Sequence, residues 1–184
     1  MGTVKKLSIL LVSFLALSCS IDYGDTTLPD EMMEDIPDNI LRSFLYTENS
    51  GGHKTFSIYA AKAEIFNTKE QTVLEDVVFR QFDSEGSLIT EGRADRGVIF
   101  SENDNAEISG NIRIYSSAEE AELDTAYLYW DNKEKTLTGR QNKSITIRKD
   151  SGTIITGKDF SADMRTKTYS LGSGVHGEYV YEED

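Results

Sequence analysis

Residues 108–114 read Ile108-Ser109-Gly110-Asn111-Ile112-Arg113-Ile114. Apolar and polar side chains alternate there with period two, which is the repeat of a half-buried β-strand. Ser144-Ile145-Thr146-Ile147-Arg148 alternates in the same way, and Val77-Val78-Phe79-Arg80-Gln81-Phe82 is rich in strand formers. Clusters with turn chemistry separate these runs, among them residues 67–70, 83–86, 101–105, 131–135 and 149–152. Past residue 50 no stretch has the periodicity of a long helix, and residues 118–121 are only a short Ala/Glu patch. The pattern predicts an all-β domain whose strands run from Thr55 onward, with residues 40–46 as a candidate first element.

Outward from this stretch, a degenerate repeat appears. The units begin near Thr55, Ser87, Ala126 and Thr153. Each reads as a strand, a polar turn, a short Leu/Ile-x-Gly/Asp element and a further strand. The short elements are Leu74-Glu75-Asp76, Ile108-Ser109-Gly110, Leu137-Thr138-Gly139 and Leu171-Gly172. A unit of two strands cannot bury its apolar face alone, so the units are expected to stack into one continuous apolar surface. In one phase of the alternation Val77, Phe79, Ile89, Val98, Phe100, Ile112, Ile114, Tyr127, Tyr129, Ile145, Ile147, Phe160 and Ala162 point inward. Such a stripe serves equally as a closed core or as the lining of a groove between splayed sheets.

The N-terminus carries a different signal. Lys5 and Lys6 precede an apolar run over residues 7–17, too short for the ~20 residues of a membrane span but suited to a secretory leader. The only cysteine, Cys19, follows directly behind Ala16-Leu17-Ser18. This placement resembles a bacterial lipobox, in which the thiol is lipidated and becomes the new N-terminus. With no second cysteine, a disulfide has no partner within the chain. Residues 1–19 therefore read as a signal peptide with a lipobox-like end. Residues 20–39, acidic and holding both prolines, read as a flexible tether. Residues 40–184 read as the β domain.

Charge and motif content exclude several classes of function. The net charge is −13, with 32 acidic against 19 basic residues, and such a surface repels nucleic-acid backbones. The two histidines, His53 and His176, lie beside glycines in predicted loops, and no metal-ligand spacing accompanies them. There is no nucleophile elbow and no phosphate loop. No catalytic residue, cofactor or metal is expected, and the chain reads as a binding and scaffolding protein.

The order of elements over residues 53–139 resembles the periplasmic domain of the LptC family. The resemblance rests on FSIYAAKAEIF, the N-T-K-E-Q turn, LEDVVFRQFDSEG, TEGRADRGVIF, AEISGNIRIY and TAYLYWDNKEKTLTG, and extends over residues 154–175. It implies an open, twisted β-jellyroll trough with no enzymatic activity. The trough would shield the acyl chains of lipopolysaccharide or a related glycolipid. It would link an inner-membrane ABC transporter to a periplasmic LptA-like bridge protein. The implied docking rims are residues 55–65 toward the transporter and residues 167–181 toward the bridge. The family is typically held by an uncleaved transmembrane helix, whereas this chain offers a lipid anchor at Cys19, which implies periplasmic attachment to the inner membrane. The competing reading is a structural or adhesin-like envelope lipoprotein with a closed core and no cargo. The anchor is directly testable: Cys19→Ala is expected to move the protein from the detergent-extracted membrane fraction to the soluble one. Unchanged fractionation would remove the lipoprotein assignment.

Overall fold

The computed structural model describes residues 35–179, so the leader, Cys19 and residues 20–34 of the tether lie outside the described residues. Ten strands follow one another: β1 (Asn39–Ser50), β2 (His53–Phe66), β3 (Gln71–Phe82), β4 (Leu88–Phe100), β5 (Asn105–Ser116), β6 (Ala121–Asp131), β7 (Thr136–Gly139), β8 (Ser144–Lys149), β9 (Ile154–Asp163) and β10 (Thr168–Glu178). All pair antiparallel in a single sheet, in sequence order, and β1 and β10 remain as its two edges. Strands β7 and β8 share one place in the order. Strand β7 pairs with Leu128–Asp131 of β6 and β8 pairs with Ala121–Asp124, so the two act as one strand interrupted at residues 140–143. Both histidines, expected in loops, lie in strands: His53 opens β2 opposite Ser50, and His176 in β10 opposes Thr156.

The described residues contain neither a helix nor a second sheet, yet Ile112 is 1% exposed and Leu128 0%. A flat sheet leaves both faces in water. The cover for these residues must therefore be the sheet itself, folded over on one face. The fold line is visible in the pairing. The ladders skip a position at Ser43 and Ala61, at Ala61 and Asp76, and at Asp76 and Asp95. They shift register around Asp95, Gly110-Asn111 and Ala126, and continue through residues 140–143 to Asp159. Ser43, Asp76, Asn111, Asn142 and Asp159 along this line have positive φ, between 40° and 60°. Asp and Asn tolerate that region best among non-glycine residues, because their short side chains bond locally. At Gly110, φ is 75° and a Cβ would lie 2.5 Å from the Asp95 carboxylate, so only glycine fits.

Hydrogen bonds fix the corner. The Asn111 side-chain amide donates to Asp95 Oδ2 at 2.7 Å. Ser173 Oγ donates to Asp159 Oδ2 at 2.6 Å, and the Asn142 backbone N–H donates to Asp159 Oδ1 at 3.0 Å. Asp159 thus ties the β7–β8 interruption and edge strand β10 to one carboxylate.

Beyond the corner each strand runs to one of two lips. The lower lip is formed by the turns at residues 67–70, 101–104, 132–135 and 164–167. The upper lip is formed by those at 51–52, 83–87, 117–120 and 150–153. The last residues before β1 are fixed rather than free. Asp38 Oδ2 accepts from the Asn67 N–H at 2.7 Å, and Lys69 Nζ meets Asp35 at 2.7 Å. The end of the predicted tether is therefore pinned to the first turn of the lower lip.

The corner hydrogen bonds hold the Asp159 carboxyl below the usual carboxylate range, with the Ser173 hydroxyl the larger cause and the Asn142 amide the second. A carboxylate whose pKa falls on folding stabilises the native state above its unfolded value, about 4, and ceases to do so as pH falls through the folded value. Asp159→Asn is accordingly expected to lower the urea midpoint at neutral pH, with the difference from the wild type shrinking below about pH 4. A constant difference across that range would show that the carboxylate charge is not what holds the corner.

Candidate functional site

Residues directly opposite each other on adjacent strands share a face, so the register sorts side chains into an inner and an outer set. In the upper arm one inner row runs Tyr46–Ile58–Phe79–Gly92–Ile114–Leu123–Ile147–Ile155. The next, toward the corner, runs Phe44–Ala60–Val77–Ala94 and reaches Ile112 and Ile145. In the lower arm the inner rows are Leu41–Ala63–Leu74–Gly97–Ile108–Leu128–Gly139 and Ile65–Thr72–Ile99–Ala106–Trp130–Leu137–Ala162. These rows hold almost no charge. Ala94, Ile112, Leu128, Ile145, Ile147, Phe160 and Ala162 form one packed cluster to which both arms contribute, and Ala60, Ala63, Leu74 and Val77 form a second.

The outer face has the opposite character. Its rows include Arg42–Lys62–Glu75–Arg96–Ser109 and Ser57–Arg80–Glu91–Tyr115–Glu122–Arg148. Oppositely charged neighbours pair across strands there: Lys62 with Glu75 at 3.3 Å, Arg113 with Asp124 at 3.0 Å, and Arg148 with Asp124. Exposed pairs of this kind each contribute little to stability. Their consequence is to fix which face meets water. A polar cleft of about 630 Å³ opens at the corner between β4, β5 and β6, lined by Arg93, Asp95, Asn111, Arg113, Asp124 and Thr125, with Ala94 and Ile112. Among the described residues no cluster of His, Cys, Asp or Glu could hold a metal ion.

The register divides the residues read from sequence as inward. Val77, Phe79, Ile112, Ile114, Ile145, Ile147, Phe160 and Ala162 lie on the inner face. Val98 and Tyr129 share the outer row Glu64–Val73–Val98–Glu107–Tyr129–Thr138, where Val98 is nonetheless buried, at 5% exposure, outside both inner clusters. Phe100 opposes Gln71 and Asn105 on that same face, and Tyr127 opposes Ser109, with the Arg140 guanidinium 4.2 Å from its ring centre. Ile89 sits where the β3–β4 register shifts and belongs to no row. The physical reason is the corner. In β4 the inner residues are Gly92 and Ala94 above it but Gly97 and Ile99 below. In β6 they are Leu123 and Thr125 above but Leu128 and Trp130 below. A period-two phase carried straight through the bend therefore ends on the wrong side.

Sequence reasoning also missed Ala60, Ala63, Leu74 and Leu128, all of them buried. The alanines are weak hydrophobic signals, and Leu128 is flanked by two tyrosines that set the opposite phase. The Leu/Ile-x-Gly/Asp elements proved to be the corner signature rather than separate short elements. Leu74, Ile108, Leu137 and Leu171 pack inward beside the bend, followed by Asp76, by Gly110, by Gly139 ahead of the break, and by Gly172 against Asp159.

The sheet is thus single and self-folded, apolar within and charged without. The family described as "Lipopolysaccharide-assembly, LptC-related" matches residues 7–180. The chain belongs to the LptC family. It is a periplasmic component of lipopolysaccharide transport and not an enzyme. No curated protein sequence aligns significantly with it. Among solved structures it is similar to LptH from Pseudomonas aeruginosa, the LptA-homologous periplasmic component of the lipopolysaccharide transport device. That match has 7% identity and a TM-score of 0.31, over 80% of this chain and 98% of that one.

Close approach between strands shapes the inner face of this LptC protein. The Phe79 ring lies over Gly92 of the next strand, where a Cβ would come within 2.1 Å of the ring. Gly92→Ala is expected to destabilise by about 1–3 kcal/mol by displacing that ring. In Phe79→Ala the same glycine change should cost far less, so a double-mutant cycle by urea denaturation should show a large coupling. Additive effects would mean that the ring does not occupy this position.

Proposed function

We propose that the inner face carries the acyl chains of lipopolysaccharide or a related glycolipid, and that the edges β1 and β10 join this protein to its neighbours in the export system. The observation that carries the reading is the partition of the faces: continuous apolar rows inside, rows of paired charge outside, in a sheet whose edges never meet. Burying a methylene stabilises by ~0.8 kcal/mol, so several acyl chains gain far more from such a face than any surface contact could supply. No bond is made or broken, and the energy for movement comes from an ABC transporter outside the chain.

Strands β1 and β10 are exposed along nearly their whole length. Each presents one row of unpaired backbone groups, the template for β-augmentation by another sheet. On this reading β1 faces the transporter and β10 faces an LptA-like bridge. The transporter-side rim is thus β1, not the segment at residues 55–65 expected from sequence. That segment lies in β2, which is paired on both sides. Lipidation at Cys19 and an acidic tether would hold the domain at the inner membrane from its β1 side, since residues 35–38 are fixed to the lower lip beside β2.

Photocrosslinking amino acids test the assignment by face. Placed at Phe79, Ile114 and Ile147, they are expected to capture lipopolysaccharide in cells. Placed at Tyr115 and Tyr129, on the outer face, they should capture none. Equal capture from both faces, or none from the inner one, would defeat the trough and favour the closed-core alternative.

A further inference from the structure

The two lips differ in charge. The lower-lip turns hold Lys69, Lys133, Lys135, Arg165 and Lys167 against Glu70, Glu102, Asp104 and Glu134, five cations to four anions, whereas the upper-lip turns hold Asp83, Glu85, Glu119, Glu120 and Asp150 and no lysine or arginine. On the lower lip the cations gather toward the β10 side. The turn at 132–135 adjoins the turn at 164–167, with the Met164 N–H donating to the Lys135 carbonyl at 3.0 Å and Arg165 lying 3.9 Å from Glu134. Arg165 is also paired with Asp163 and Lys69 with Asp35, but Lys133, Lys135 and Lys167 make no ion pair among the described residues. Directly inside this patch stands Trp130, in the last inner row before the lip, with Lys135 Nζ 5.8 Å from its ring centre. An indole with a lysine above it is the arrangement expected where an apolar interior meets a polar boundary.

We propose that this patch binds the anionic groups, phosphate or carboxylate, of the lipid head, so that cargo lies in the trough with its charged head turned to the lower lip at the β10 end. The inference rests on the trough reading and adds an orientation to it. The acidic upper lip repels the same groups, so the lips discriminate between two otherwise equivalent ways of seating a lipid. The cationic patch also lies beside the edge proposed to meet the bridge, which places the head at the exit.

The test compares binding of a bis-phosphorylated glucosamine-disaccharide lipid with binding of the same lipid after phosphate removal, using the full-length chain at low ionic strength. The wild type is expected to prefer the phosphorylated lipid by about tenfold. Lys133→Glu/Lys135→Glu/Lys167→Glu should erase the preference while leaving the affinity for the dephosphorylated lipid unchanged. The charge reversal is compatible with folding, because Glu102 occupies the turn position of Lys133, and Glu70 and Glu120 occupy that of Lys135 and Lys167 with the same positive φ. An equal affinity of the wild type for both lipids, or a preference that survives in the triple variant, overturns the orientation alone. Failure to bind either lipid overturns the trough as well. Displacement of the phosphorylated lipid by inorganic phosphate at constant ionic strength would make the patch a free-anion site and defeat the assignment to a lipid head.

Discussion

A single sheet with one apolar face has no second layer against which to bury it. Everything else in the described domain follows from the solution to that constraint, which is to bend every strand at the same line and lay one arm over the other. The cost is an interrupted ladder across the sheet and left-handed backbone at Ser43, Asp76, Asn111, Asn142 and Asp159. The return is that residues from both arms, Ile112 and Ile145 from one and Leu128 and Ala162 from the other, pack into one cluster. Side chains bridge the interrupted ladder at two places, Asn111 to Asp95 and, most fully, Asp159, which takes bonds from the preceding loop and from the edge strand together.

The same constraint explains the distribution of small residues. Where two arms converge, a side chain on one strand needs space on the next. Phe79 lies over Gly92, Leu171 over Gly157, and Phe160 against Gly139. A bulky residue on one strand and glycine beside it keep the inner surface continuous without forcing the strands apart. The inner face is in this way graded. It is closely packed at the corner, where Ile112 and Leu128 are lost to solvent, and looser in the upper arm of β3 to β6, where Phe79, Ile114 and Leu123 are only half-buried.

Much of this was legible in the sequence, because period-two alternation and turn clusters depend on neighbours within a strand. The all-β class, the hairpin repeat and the inward places of Ile112, Ile114, Ile145 and Ile147 came from such local signals. What was not legible was the phase on the far side of the corner. Tyr127 and Tyr129 continue the alternation of Leu123 and Thr125 without visible interruption, yet the skipped pairing at Ala126 turns them outward. No local property of Thr125-Ala126-Tyr127 announces the bend; it is imposed by Gly110 and Asn111 on the neighbouring strand. The first strand was similarly underweighted. Its exposed residues Leu45 and Tyr46 give little amphipathic contrast, because an edge strand is covered on only one flank.

The bend also decides what kind of site this sheet can offer. A sandwich of two sheets presents its loops at two ends and buries its faces. A folded sheet with unpaired edges instead presents an apolar interior that runs unbroken from β1 to β10, and two lips that flank it along its whole length. Among the described residues the rows of that interior hold no charged side chain to define one ligand pose. Selectivity along it therefore has to come from the lips, where charge is available, and from the edges, where backbone groups are unpaired. On the proposed reading, the apolar rows would accept acyl chains of differing number and length, while the residues that discriminate would stand at the boundary with water. The concentration of lysines beside the β10 edge, opposite a lip with none, would put that discrimination at one end of the sheet rather than evenly along it.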